Sequence, residues 1–169
     1  MNSELIRING YLEALSNINT LLGNCYGHQY KFVELNVNIN EAVREFNKNS
    51  DLSDHKYVEI VGLDELESWE DSLFAVCTYW FFSMFKMRNI VLGEIHYTDG
   101  KVVSMENDKM YNRVSEQLIT MLRPLFLGSN VRVYQLTTNP PKGEDEFEWE
   151  QIYFDVGSKV FVLDFYQWG

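Results

Sequence analysis

The sequence predicts an α+β domain on a largely antiparallel sheet, and three patterns predict it. Strand-like runs come in pairs around tight-turn residues, runs with three- and four-residue apolar spacing separate them, and strands and helices do not alternate regularly. A parallel sheet needs that alternation, because each crossover carries a helix. At 169 residues, 46% apolar and 15% aromatic, the chain can bury one core without disulfide or metal. We expect a single domain over residues 1–169 with three to four helices, one of them apolar and central.

Ser3 and Glu4 precede Leu5, Ile8, Leu12, Leu15, Ile18 and Leu22, the stripe of an amphipathic helix ending near Gly23. Tyr30, Phe32, Val33, Leu35 and Val37 suit a strand from Gln29 to Val37. Asn38 or Asn40 then caps a short helix carrying Ala42, Val43 and Phe46. Asn47 to His55 reads as a loop and Lys56 to Val61 as a second strand. Asp64, with Glu67 three residues on, is expected to start the next helix, whose acidic first turns complement the helix dipole. That helix runs to about Met87, and Leu73, Phe74, Val76, Cys77, Trp80, Phe81, Met84 and Phe85 make it apolar on nearly every side. Such a helix belongs in the centre of a domain or in a subunit interface, which leaves a homodimer open.

Ile90 to Tyr97 and Lys101 to Met105 flank Thr98, Asp99 and Gly100 as a hairpin. Asn107 or Asp108 is expected to open a helix with Met110, Val114, Leu118, Met121 and Leu122 on one face. Pro124 and Gly128 mark its end, with Pro124 either ending the helix or only kinking it. The strand Val131 to Thr137 follows. A terminal β-hairpin, Glu148 to Val156 and Lys159 to Tyr166, turns at Gly157 and Ser158. In its last strand Val160 and Val162 alternate with Phe161, Leu163 and Phe165, so both faces need cover and the strand is expected inside the sheet.

Charge narrows the function. Against 14 Lys plus Arg stand 25 Asp plus Glu, a net charge of -11, which repels phosphate backbones and argues against direct nucleic-acid binding. The N-terminus carries no basic and apolar leader pattern, and the apolar run Ser72 to Phe85 falls short of the roughly 20 residues of a membrane span. Cys25 and Cys77 lack partners at zinc-ligand spacing, so both are expected to be reduced structural thiols in a cytoplasmic protein without metal or other cofactor. No phosphate-binding glycine loop, nucleophile elbow or His-Glu-x-x-His helix is present, and His28, His55 and His96 are each isolated. The expectation is a protein that is not an enzyme.

Two acidic segments stand out. Asp64, Glu65, Glu67, Glu70 and Asp71 surround Trp69 and are expected on the first turns of the central helix. Glu144, Asp145, Glu146, Glu148 and Glu150 place five carboxylates within seven residues, interleaved with Phe147 and Trp149. Such a concentration raises the cost of folding unless a positively charged partner uses the field. In the strand, Trp149, Gln151, Tyr153 and Asp155 share one face. The adjoining strand adds Asp164 and Tyr166, with Trp168 just beyond. These residues are the candidate partner-binding surface, in which aromatics supply contact area and carboxylates supply orientation and encounter rate.

A small, acidic, Tyr- and Trp-rich α+β chain without a catalytic motif, closing on Trp149-Glu150-Gln151-Ile152-Tyr153-Phe154 and Val160-Phe161-Val162-Leu163-Asp164-Phe165, resembles bacterial toxin-immunity proteins, including those of contact-dependent growth inhibition. The resemblance is of profile over the whole chain and carries over no individual residue. It implies a protein that binds a toxin domain, often a basic nuclease, and blocks its active site. A second class is a small enzyme or ligand-binding module with an aromatic-lined pocket and His28 or His96 as its polar group. A third is a nucleic-acid mimic that occupies the basic groove of a DNA-binding protein.

Overall fold

The structure, a computed structural model, describes residues 2–22, 26–48, 59–87, 97–98, 101–102, 105–139 and 147–169. Its elements follow the chain as α1 (Ser3–Leu22), β1 (Gly27–Leu35), α2 (Ile39–Asn47), β2 (Glu59–Leu66), α3 (Trp69–Met87), β3 (Tyr97–Thr98), β4 (Lys101–Val102), α4 (Met105–Phe126), β5 (Arg132–Asn139), β6 (Phe147–Asp155) and β7 (Val160–Trp168). Five strands form one sheet in the order β1-β7-β6-β5-β2, and every neighbouring pair is antiparallel. β3 and β4 form a separate short ladder. The fold is α+β, as the hairpin pattern predicts.

Period-two alternation gives the sheet two apolar faces. On one, Tyr30, Phe32, Val133, Ile152, Phe154, Phe161, Leu163 and Phe165 pack beneath Ile8 and Leu12 of α1, Leu73, Cys77, Trp80 and Phe81 of α3, and Leu118, Leu122 and Phe126 of α4. Trp80 stacks on Phe165 with ring centroids 5.4 Å apart, and Phe32 stacks on Phe161 at the same separation. On the other face, Leu136, Tyr153, Val160 and Val162 close over Ala42 of α2, with Val43, Phe46 and Trp149 at the margin. β7 is thus buried on both sides from Val160 to Phe165, between β1 and β6.

The terminal hairpin pairs without interruption from Phe147 opposite Trp168 to Asp155 opposite Val160. Its turn holds Gly157 at φ 88°, the left-handed region where a Cβ is strained. Gly157 N–H donates to Asp155 Oδ1 at 2.9 Å, and Arg132 Nη2 donates to Asp155 Oδ2 at 2.6 Å.

Several expected boundaries shift. Asp64 does not cap α3: strand β2 continues through it to Leu66, because Leu63 and Leu66 each reach one core and Thr137 Oγ1 donates across the ladder to Asp64 Oδ2 at 2.5 Å. Tertiary pairing outweighs the local cap signal. The helix starts at Trp69, with Asp71 N–H donating to Ser68 Oγ at 3.4 Å. α4 begins at Met105, which the sequence placed in a strand, and continues two residues beyond Pro124. β1 begins at Gly27, two residues before the expected start at Gln29, so it takes in His28. In α1, Ile18 is exposed and Asn19 is buried in its place. Asn19 Nδ2 donates to Tyr30 Oη at 2.7 Å and to the Trp80 carbonyl at 3.1 Å, so a polar residue completes the stripe. The first strand of the hairpin expected at Ile90 to Tyr97 lies almost entirely outside the described residues, as do Cys25, His55 and His96.

Candidate acidic binding surface

β6 divides the acidic segment by parity. Glu148 and Glu150 point to the face of α3, whereas Trp149, Gln151, Tyr153 and Asp155 point to the face of α2. The expected single acidic and aromatic surface is therefore two surfaces on opposite sides of the sheet. Glu144, Asp145 and Glu146 lie outside the described residues.

On the α2 side, Tyr166 is opposite Trp149 and stacks on Trp168, centroids 5.4 Å apart at 24°. The Trp168 ring occupies the space that a Cβ on Gly27 would need, so a side chain there would displace the ring. Asp155 and Asp164 are buried, which corrects their placement on an exposed surface. Asp155 is engaged by Arg132 and the Gly157 turn. Asp164 accepts from Gln151 Nε2 at 3.0 Å, and the same nitrogen donates to Asn47 Oδ1 at 2.9 Å. Asn47 Nδ2 returns a bond to Gln151 Oε1 at 3.2 Å, and Tyr153 Oη donates to that oxygen at 2.7 Å. This network ties the end of α2 to the sheet.

The α3 side keeps its charge within reach of solvent. Glu148 accepts from Tyr79 Oη at 2.9 Å. Glu150 accepts from Trp80 Nε1 at 2.6 Å and from Gln135 Nε2 at 2.5 Å. Asp64, opposite Gln135 in the register, shares this face. One carboxylate from the first acidic segment thus joins two from the second. All three are held by neutral donors, and among the described residues none forms an ion pair with Lys or Arg. Elsewhere Glu4 meets Arg7, Glu34 meets Lys159, Glu70 meets Arg123 and Asp155 meets Arg132.

Neutral donors fix the oxygens without cancelling their field. Burial raises the Glu150 carboxyl above its usual range, and the bonds from Trp80 and Gln135 pull it back. Burial, followed by the Glu148 bond and the Glu148 and Glu150 charges, pushes Tyr79 up to about 12, so it remains a donor at neutral pH. Tyr79 is 46% exposed and supplies an aromatic beside the carboxylates.

The rest of the first acidic segment is dispersed. Glu65 lies across the β2 ladder from Tyr134 on the other face. Glu70 and Asp71 line a cleft of about 300 Å³ between α3 and α4 with Phe74, Glu116, Ile119, Thr120 and Arg123, where Arg123 binds both Glu70 oxygens at 2.9 and 3.3 Å.

Groups suited to other chemistry are enclosed. Cys77 is a free, fully buried thiol pushed well up by burial and then by the Glu150 charge. His28 is 5% exposed, and neither ring nitrogen has a hydrogen bond of good geometry. Burial lowers its pKa, with Gln167 and the Tyr26 backbone near enough to oppose that shift weakly. Among the described residues no His, Cys, Asp and Glu group has a metal-binding arrangement, and no helix is long and apolar enough to cross a membrane.

Tyr79, Gln135 and Thr137 belong to the surface although no sequence pattern singles them out. Strand parity is the one signal that bears on its layout, because alternation along β6 separates Glu148 and Glu150 from Trp149. Nothing local announces that Asp64 joins them. Scanned against models of known protein families and against curated proteins, the chain gives no match.

Proposed function

We propose that this protein is a non-enzymatic inhibitor of the immunity type, which binds a basic toxin domain through the surface of Asp64, Glu148, Glu150 and Tyr79. The observation that carries this reading is the contrast in charge compensation. Among the described residues, Glu4, Glu34, Glu70 and Asp155 are each met by Lys or Arg, while these three share one face and are oriented by hydroxyl, indole and amide donors. A cation arriving with a partner meets charge already in place, and long-range attraction raises its encounter rate. The toxin class comes from the resemblance of the whole chain to immunity proteins; the basic character of the partner comes from the surface.

The test is to express the product of the neighbouring reading frame alone and together with this chain. Relief of growth arrest, with a stable complex that loses affinity in Asp64→Asn/Glu148→Gln, supports the reading. Arrest that this chain does not relieve, or a partner indifferent to those substitutions, removes it.

A further inference from the structure

The two edges of the five-stranded sheet are finished differently. At the β1 edge, Asn9 of α1 donates from Nδ2 to the Phe32 carbonyl at 2.8 Å and accepts the Phe32 N–H at Oδ1, also at 2.8 Å. Thr20 Oγ1 accepts the His28 N–H at 2.9 Å. Helix α1 thus supplies side chains where a neighbouring strand would supply backbone. Such cover matters because a bare edge is a template for another chain. The β2 edge has no such cover among the described residues, and Ile60 and Val61 beside it are 48% and 59% exposed.

The ladder determines which β2 groups face outward. Asn9 occupies the N–H and C=O of Phe32, so these point away from Leu163 across the β1/β7 pair. Antiparallel pairs alternate between exchanging and not exchanging backbone bonds. Carried through Leu163 opposite Ile152, Ile152 opposite Gln135 and Gln135 opposite Asp64, that alternation makes Gln135 and Asp64 a bonded pair. Leu63 and Glu65 therefore direct their N–H and C=O away from the sheet.

We infer that β2 receives an extended basic segment of the partner protein as a sixth strand, bonded to the backbone of Leu63 and Glu65. This rests on the reading of the partner as basic and specifies how it is held. Charge selects the occupant. β2 contains Glu59, Asp64 and Glu65 and no Lys or Arg, so pairing with a second copy of itself sets carboxylate against carboxylate, which is destabilising in a sheet. A basic strand reverses that sign on both faces. Its residue opposite Asp64 falls on the face of Glu148 and Glu150, and its residue opposite Glu65 falls on the other. Main-chain bonds then supply affinity, and alternate side chains supply specificity.

The test uses a peptide of repeated Lys-Lys-Thr-Thr, which sets lysine on both faces of a strand, about ten residues long, near the length of a strand, and a twin N-methylated at alternate residues. Wild-type protein should bind the unmethylated peptide about tenfold or more tightly, the loss expected for two main-chain bonds. Hydrogen exchange at Leu63 and Glu65 should slow with that peptide alone. Glu65→Pro removes an N–H the sheet does not use, which an edge position tolerates. It should abolish the discrimination that Glu65→Gln retains. Equal binding of both peptides, or binding of neither, overturns the proposal, and both arms use wild-type protein. Equal binding that weakens with salt and in Asp64→Asn/Glu148→Gln overturns strand addition while leaving the acidic-surface reading in place. Binding sensitive to methylation but not to salt overturns the basic occupant and that reading with it.

Discussion

Asn9 acts as the strand that β1 lacks: its side-chain amide both donates to and accepts from the backbone of Phe32, at 2.8 Å in each direction. Phe32 itself is buried between α1 and Phe161, so these backbone groups are poorly placed to recruit water.

Asn9→Leu keeps side-chain size and removes both bonds. Leaving a buried donor and acceptor unpaired costs about 1–3 kcal/mol. The exposed Asn17→Leu in the same helix serves as control. Urea unfolding should give a clearly lower midpoint for the first variant. Equal midpoints would show that Asn9 does not hold the edge.

Two glycines should respond to substitution with opposite signs. Gly157 sits at φ 88°, where a Cβ costs about 1 kcal/mol or more, so Gly157→Ala is expected to destabilise. Gly10 lies within α1 with nothing inside 4 Å of a built Cβ, so Gly10→Ala should stabilise by about 0.5–1 kcal/mol through helix propensity. Thermal melts of the two variants on either side of wild type would bear out both assignments; shifts in the same direction would refute one of them.

Legibility in the sequence followed the reach of the signal. Local patterns were readable: the stripe of α1, the glycine turn at Gly157 and the two-faced apolar alternation of β7 each rest on residues within a few positions. Parity in β6 was also readable, and taken alone it already separates Glu148 and Glu150 from Trp149. What sequence spacing did not contain was pairing at a distance. Asp64 has the local chemistry of a helix cap, yet its partner Thr137 lies 73 residues away, and that bond places it in a strand. Asp155 and Asp164 look like surface charge for the same reason. Their partners, Arg132 and Gln151, come from neighbouring strands, and only the register shows that they are buried.

Glu150 should make stability fall as pH rises. Its folded pKa lies above the ordinary value of 4.5, so the folded state binds the proton more tightly than the unfolded state does. The associated stability is fully present below 4.5 and is lost as pH rises through the folded pKa. Glu150→Gln removes that titration while keeping an oxygen for Trp80 Nε1, and Gln135 can turn its amide to match. The stability difference between variant and wild type should move in favour of the variant from acidic to neutral pH, read by denaturant unfolding across that range. A difference constant with pH would show that the carboxylate is not penalised by its burial.

The division of β6 into two faces makes the roles of charge and aromatic separable. Asp64→Asn/Glu148→Gln removes two exposed carboxylates from the α3 side and should mainly slow association with the purified partner. It should also flatten the salt dependence of that rate, because the attraction is screened over a Debye length of about 8 Å at physiological ionic strength. Trp149→Ala acts on the opposite side, where the ring packs against the core closed by α2. Truncating a packed aromatic of this kind costs up to about 3 kcal/mol of folding stability, and it should leave both association and dissociation rates unchanged once the variant is shown to be folded. Faster dissociation in Trp149→Ala, with wild-type rates at every salt concentration in Asp64→Asn/Glu148→Gln, would move the contact to the other face of the sheet. The stacked pair Tyr166 and Trp168 would then be its centre.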